Sequence, residues 1–381
     1  MSATVSSANG RRRYRFLDLL VEVRSERAET LVLLDDLYGR FTVSDGTGRP
    51  DLSAHVRKLD DGQLRMDIDN VSCTLAPLPI ADFHAYTILF GELLQRVGDQ
   101  FFVHGAAMTD GAHTLILSGP SGHGKTTLSL ALAGRGFRLL SDDFAPLGRG
   151  DGRVYPFPKR LGVRRGPDGK RPLLPPGIAG PAEWLPFGDK WLLDPGDLPG
   201  GVADAPSPLT HLLLLMAGDG SAALPSTYRL ALVEGQAELE RRLRDVPGVG
   251  VSPERTPGGR PALKVELSGG AEAHARFHEA CAAHRHAMLS FEPDRPPAAF
   301  QGEPEITALG TLPAALILMR EVLNRAPEGR LARESGGEMG PLVMELAGLL
   351  RGVRCASLQV GSLQATAERV NAWLDRPEDG A

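Results

Sequence analysis

Hydrophobic residues in this chain gather in short runs, separated by glycine, proline and aspartate. Thr114-Leu115-Ile116-Leu117-Ser118 is one such run; its continuous apolar interior predicts a buried strand. Phe137-Arg138-Leu139-Leu140-Ser141 and His211 to Met216 predict two more. Between the first two, Lys125 to Ala133 carries Leu128, Leu130 and Leu132 and is followed by Gly134 and Gly136, which predicts a helix and its stop. A hairpin turning at Asp110-Gly111 leads into the first strand. Strand, loop, helix and strand in that order predict an α/β fold.

The flanks read differently. Residues 1–12 are expected to be disordered, and 13–98 to form a small β-rich N-terminal domain. Its expected strands are Phe41-Thr42-Val43, Leu64 to Ile68 and Val71 to Leu75, with turns at Asp45-Gly46 and Asp61-Gly62. Two helices belong with them: Ala28 to Tyr38, with Leu31, Leu34 and Leu37 on one side, and Ile80 to Val97. Residues 99–217 form the expected core and 218–288 an insertion or substrate-side subdomain. The remainder, 289–381, is expected to be helical over Leu312 to Asn324, Pro341 to Leu350 and Leu363 to Leu374, with a strand from Arg354 to Val360. From Gly166 to Ala205 the pattern predicts long loops carrying Trp184, Lys190, Trp191 and Asp194; loops of that length in an enzyme often bind or cover a ligand.

The loop after the first strand carries the clearest chemistry. Gly119-Pro120-Ser121-Gly122-His123-Gly124-Lys125-Thr126 matches G-x-x-x-x-G-K-[ST] in full. The match stands between a strand and a helix, the setting a phosphate-binding loop requires. Its backbone N–H groups, with that of Thr127, would cradle phosphates at the positive end of the helix. Lys125 would reach the β- and γ-phosphates of ATP, and the Thr126 hydroxyl would ligate Mg²⁺.

Asp142-Asp143 closes the next strand. Parallel strands of an open sheet put their C-terminal ends on the ligand side. Neighbouring strand residues face opposite ways, so the two carboxylates have separate jobs. Thr126 and Asp143 are the expected metal ligands, although which aspartate holds Mg²⁺ and which acts as base stays open. Further on, Pro156-Phe157-Pro158-Lys159-Arg160-Leu161-Gly162-Val163-Arg164-Arg165 is a proline-stiffened cationic stretch. Lys159, Arg160 and Arg164 would stabilise phosphoryl charge there, or else form a solvated strand edge. His104 follows an apolar run and serves either structure or catalysis, while His123 either carries charge beside the phosphates or is a loop residue whose backbone alone matters. His274, His278 and Cys281 share one side of a helix at metal-ligand spacing. No second cluster completes a four-ligand set, which favours an amphipathic helix.

Val103-His104-Gly105, the hairpin, the loop and Arg135-Gly136-Phe137-Arg138-Leu139-Leu140-Ser141-Asp142-Asp143 together resemble the catalytic core of HPr kinase/phosphorylase and its phosphoenolpyruvate-carboxykinase relatives. The nearest resemblance is to the shorter HPr-kinase-like proteins of peptide natural-product clusters, including the lasso-peptide kinases. It covers roughly Phe102 to Val163 and rests on the immediate strand–loop–helix–strand–Asp-Asp order. The resemblance implies a P-loop kinase core with ATP and Mg²⁺ as cofactors. It also implies His104 near the phosphates, Lys125 on them, and Asp142 or Asp143 as base or metal ligand. His123 stands where the family varies, and the C-terminal phosphorylase signature is not evident. That departure leaves HPr itself and the reverse reaction outside the expectation, with a homo-oligomer left open.

Composition narrows the class. The chain has 381 residues, enough for two domains, and a net charge of −5, which argues against nonspecific nucleic-acid binding. Lysine is confined to Lys58, Lys125, Lys159, Lys170, Lys190 and Lys264, so each is less readily dismissed as surface decoration. Cys73, Cys281 and Cys355 give no disulfide or zinc pattern. No signal peptide or membrane span is expected, and the protein reads as cytoplasmic. The expectation is therefore ATP-dependent phosphorylation of a hydroxyl, either a serine or threonine of a precursor peptide or a small-molecule alcohol. An ATP hydrolase and a nucleotide sensor are the alternatives.

Overall fold

The computed structural model describes residues 10–44, 48–78, 80–164, 172, 174–181, 184–187, 190–216, 227–233, 237–256, 261–268, 270–284, 287–293, 302–326 and 328–375. Two compact units divide the chain: Met1–Leu93 with Ala223–Pro296, and Leu94–Ala222 with Pro297–Ala381. Most of the segment expected as an insertion thus groups with the N-terminal residues.

The first unit opens with β1 (Gly10–Phe16) and β2 (Leu19–Ser25), a hairpin, followed by α1 (Ala28–Tyr38). β3 (Leu52–Lys58), β4 (Leu64–Ile68) and β5 (Val71–Thr74) complete a sheet in sequential order, with β2 and β3 parallel. α2 (Ala81–Arg96) follows. Two expectations fail here. Gly10 to Arg12 are strand rather than disordered, and the buried Glu22 explains the arginines by pairing with Arg11, Arg13 and Arg24 at 2.7–2.9 Å. Phe41 ends a short 3₁₀ turn, and Thr42 makes only an isolated bridge to Tyr14. Ring packing against Phe16 and Tyr38 holds Phe41 there. The turn at Asp45-Gly46 lies outside the described residues, as do 1–9.

In the second unit, β6 (Gln100–Val103), β7 (Gly105–Thr109) and β8 (Thr114–Ser118) are buried throughout. α3 (Lys125–Ala133) and β9 (Arg138–Ser141) follow as their patterns predict. Next come β10 (Ala145–Gly148), β11 (Arg153–Val154) and β12 (Leu161–Arg164). β13 (Leu185–Phe187), β14 (Lys190–Leu193), β15 (Ser207–Pro208) and β16 (His211–Met216) complete this stretch. Part of the region expected as loop is therefore an antiparallel ribbon, β12-β14-β13. Leu161 and Leu193 anchor it by burying themselves in the core. Arg165 and much of 166–189 lie outside the described residues.

The chain returns to the first unit as β17 (Thr227–Leu232), α4 (Ala237–Arg244), β18 (Val249–Arg255), β19 (Pro261–Leu267), α5 (Gly270–Ala283) and β20 (Met288–Pro293). The order β18-β19-β17-β20, antiparallel at every pair, interlocks two split βαβ units. Phe277 and Cys281 of α5 belong to its apolar core. Burial pushes the Cys281 thiol up to about 12, which disfavours a thiolate ligand. His274 packs by the Tyr228 ring and donates Nδ1–H to Gly270 O at 2.7 Å. Among the described residues, no three His, Cys, Asp or Glu side chains group as a metal site. Gly258 and Gly259 lie outside the described residues.

The second unit closes with β21 (Glu305–Ala308), α6 (Thr311–Arg320), α7 (Arg330–Glu334), α8 (Met339–Leu349), β22 (Arg354–Gln359) and α9 (Leu363–Leu374). Its principal sheet runs β21-β22-β16-β8-β7-β9. β22, β16 and β8 are parallel, whereas β7 is antiparallel to both β8 and β9. β8 and β9 therefore end at the same edge. Leu115, Leu117, Leu213 and Leu215 pack with α3 and α9, while Ile116, Leu212 and Leu214 pack with α6, α7 and α8. Consecutive residues thus serve opposite cores, which explains the unbroken apolar runs. The architecture is mixed α/β, and no helix among the described residues is long and apolar enough to cross a membrane.

The helix expected to reach Asn324 stops at Arg320. Val322 instead bridges Val103, and the buried Asn324 side chain joins β6 to the chain before it. Its Oδ1 accepts from Phe102 N at 2.9 Å, and its Nδ2 donates to Val97 O at 3.0 Å and Gln100 O at 2.9 Å. Asn324→Ala leaves three backbone groups without these partners and should lower stability by about 3 kcal/mol. Urea denaturation checks this, and an unchanged midpoint would refute the role.

Candidate functional site

The loop between β8 and α3 needs glycine at its first position. Gly119 has φ +151, and a Cβ there would lie 2.6 Å from Leu215 O at the end of β16. Pro120 to His123 make the turn, and α3 begins after Gly124 with no side-chain cap and no acid in its first turn, which holds Thr126 and Thr127. That helix end keeps its uncompensated positive potential, the condition for holding an anion. Lys125 is buried and donates Nζ–H to Gly119 O at 2.6 Å and Pro120 O at 3.1 Å. Burial lowers its pKa, opposed by the charges of Glu321, Asp143 and Asp142. His123 is buried in the loop, its Nδ1 3.3 Å from Ser121 O.

Asp142 and Asp143 follow β9 and diverge sharply. Thr126 Oγ1 lies 3.2 and 3.3 Å from the two carboxylate oxygens of Asp142. Asp143 has φ +65, a backbone conformation uncommon outside glycine, and accepts from Lys159 Nζ at 2.9 Å. Burial, reinforced by the neighbouring Asp143 charge, raises the Asp142 pKa to about 6. Burial also works against an ionised Asp143, but Lys159, Lys190 and His104 outweigh it and hold that carboxyl well below the usual range. One carboxylate is thus fixed as an anion, while its neighbour lacks a full countercharge.

The cationic stretch reaches the site along β9. Phe157 is fully buried, bridges Ser141 in parallel and packs edge-on against Phe102 and Phe144. That anchorage brings Lys159 to Asp143, with its ammonium 5.2 Å from the Phe144 ring centroid. Arg164 Nη2 meets Ser121 Oγ of the loop at 3.3 Å. Arg160 pairs instead with Asp194, Nε to Oδ2 at 3.6 Å. His104 Nδ1 lies 3.2 Å from Glu321 Oε2, its backbone N–H donates to Glu321 O at 2.7 Å, and its carbonyl accepts from Ser118 Oγ. Gly105 N also donates to Asp143 O at 3.3 Å, which ties the start of β7 to the aspartate turn.

The loop, Lys125, Thr126, both aspartates, Lys159, Arg164 and His104 therefore share one neighbourhood. The carboxylate at Thr126 is that of Asp142, while Asp143, the expected metal partner, is engaged by Lys159. The sequence reading missed Glu321 and named Lys190 without assigning it a role at the site. Glu321 lies 217 positions from His104, and no local pattern could pair them. Lys190 bears electrostatically on Lys125, Asp142 and Asp143; lysine scarcity and its place in a long loop were its signals. No family model matches the chain, and a search of the curated proteins finds no match.

Two measurements test this electrostatic arrangement. A carboxyl whose folded pKa exceeds its unfolded 3.8 destabilises the fold as pH rises through that interval, up to about 6 for Asp142. Asp142→Asn should therefore raise unliganded stability above pH 6 by on the order of 2 kcal/mol, with the gain vanishing near pH 4. Thermal midpoints across that range check it; a pH-independent difference would contradict it. Lys159→Met leaves Asp143 unpaired and should cost about 2–3 kcal/mol at neutral pH, read from denaturation midpoints. Equal midpoints would dismiss the pair as a structural element.

Proposed function

We propose that the second unit is an ATP-dependent phosphotransferase with a P-loop kinase core of the HPr-kinase type, acting on a hydroxyl group. The observation that supports it most is the Thr126–Asp142 contact at 3.2 Å, which joins the phosphate-loop helix to the acidic strand end. The residues fit the cofactors on their own chemistry: an uncapped helix terminus free of acid, a buried lysine on the loop, and a hydroxyl beside a carboxylate. ATP phosphates would be held by the backbone from Gly119 to Thr127 and by Lys125, and Mg²⁺ by Thr126 and Asp142. When bound, the ion supplies neutralisation of phosphate charge.

The rest of the chemistry belongs to the chain. Asp143, kept ionised by Lys159, orients the acceptor hydroxyl and receives its proton as the new P–O bond forms and the bond to the ADP oxygen breaks. A loose transition state asks little of the base, so a carboxylate of low proton affinity suffices. His104 and Arg164 flank the transferring group with donors that meet developing charge. The acceptor favoured by the motif resemblance is a serine or threonine of a precursor peptide.

Lys125→Ala, with folding verified by circular dichroism, should reduce phosphate transfer about 100-fold or more. Incubation with Mg²⁺ and ATP followed by intact-mass analysis of a serine-containing peptide acceptor reads the product. Phosphopeptide formation supports the kinase. Free phosphate alone points to a hydrolase, and nucleotide binding without turnover to a sensor. Undiminished transfer by Lys125→Ala removes the basis of the proposal.

A further inference from the structure

The ribbon β12-β14-β13 carries a cation whose place the phosphate-loop chemistry leaves unexplained. Arg164 and Lys190 stand directly opposite each other in the β12–β14 register. Arg164 touches the loop hydroxyl of Ser121. Lys190 lies along Gly162, two residues earlier on the same face of β12. A Cβ on Gly162 would come 2.7 Å from Lys190 Cδ and 3.5 Å from Nζ, so glycine provides the channel for this side chain. Lys125 is engaged by loop carbonyls and Lys159 by Asp143. No hydrogen bond or ion pair joins Lys190 to any described residue, yet its charge acts on Lys125, Asp142 and Asp143 together. A half-buried ammonium held within the field of two carboxylates and a phosphate loop, hydrogen-bonded to no anion among the described residues, is placed for a ligand anion.

We propose that Lys190 is a second phosphate-contacting lysine of this site, held over Gly162 opposite Arg164 and engaging the terminal phosphate of the nucleoside triphosphate. The assignment rests on the nucleotide function proposed above and deepens it. Lys125 comes from the loop itself and meets any bound di- or triphosphate, whereas Lys190 comes from the separate β12–β14 ribbon and distinguishes the triphosphate. Lys190 takes no covalent part. Its contribution is charge neutralisation and selection between ATP and ADP.

Calorimetric titration of wild type, Lys190→Met and Gly162→Ala with Mg²⁺ and either ADP or a non-hydrolysable ATP analogue tests it. Methionine keeps the stem over Gly162 and removes only the charge. Lys190→Met should weaken the ATP analogue about tenfold, the loss of one charge-assisted contact, with ADP affinity unchanged. Gly162→Ala should displace the stem and shift selectivity the same way, and Lys190→Arg should recover part of it. Equal weakening of both nucleotides, or none, overturns the assignment and leaves the kinase proposal standing. Wild type that binds neither nucleotide brings both down.

Discussion

Two adjacent carboxylates, Asp142 fully buried and Asp143 half-buried, set the terms for the second unit. Side by side and ionised they would repel strongly, and burial magnifies the cost. The chain resolves this by turning Asp143 into a left-handed backbone conformation and giving it Lys159, while Asp142 is sent to the hydroxyl of Thr126. One acid is satisfied within the protein. The other is left short of positive charge beside a helix N-terminus and a lysine-bearing loop. A carboxylate short of positive charge thus stands next to a helix end of uncompensated positive potential.

The fold supplies rigidity for that arrangement by burying the sheet on both faces. β8 and β9 end at one edge although β7 runs between them in the opposite sense. Apolar residues at consecutive positions are committed to different cores, so neither strand can slip by one residue without exchanging the two sets. The loop after β8 and the turn after β9 inherit fixed positions from this register. Phe157 extends the same anchoring to a segment with little regular structure and holds Lys159 against Asp143.

Charge around the site comes from separate parts of the second unit. Lys125 belongs to a helix start, Lys159 to an irregular segment tied to β9, Arg164 and Lys190 to an antiparallel ribbon, and His104 with Glu321 to the junction of β6 with the residues after α6. The first unit follows different rules. It has the Glu22–arginine cluster and an interlocked split βαβ sheet with an apolar core of its own.

Local pattern alone determined the strand–loop–helix–strand run from Thr114 to Ser141, because apolar continuity, glycine placement and the phosphate-loop spacing are properties of neighbouring residues. It also located the loop, both aspartates and the cationic stretch. Tertiary structure decided which aspartate meets Thr126, since that depends on a backbone turn at Asp143 and a lysine 16 residues away. It stopped the helix before Asn324 because three backbone groups needed that side chain. It joined Glu321 to His104 and Lys190 to Arg164 through contacts and register between distant segments. Pairing between remote residues is set by packing and strand register, neither of which leaves a mark within a short stretch of sequence.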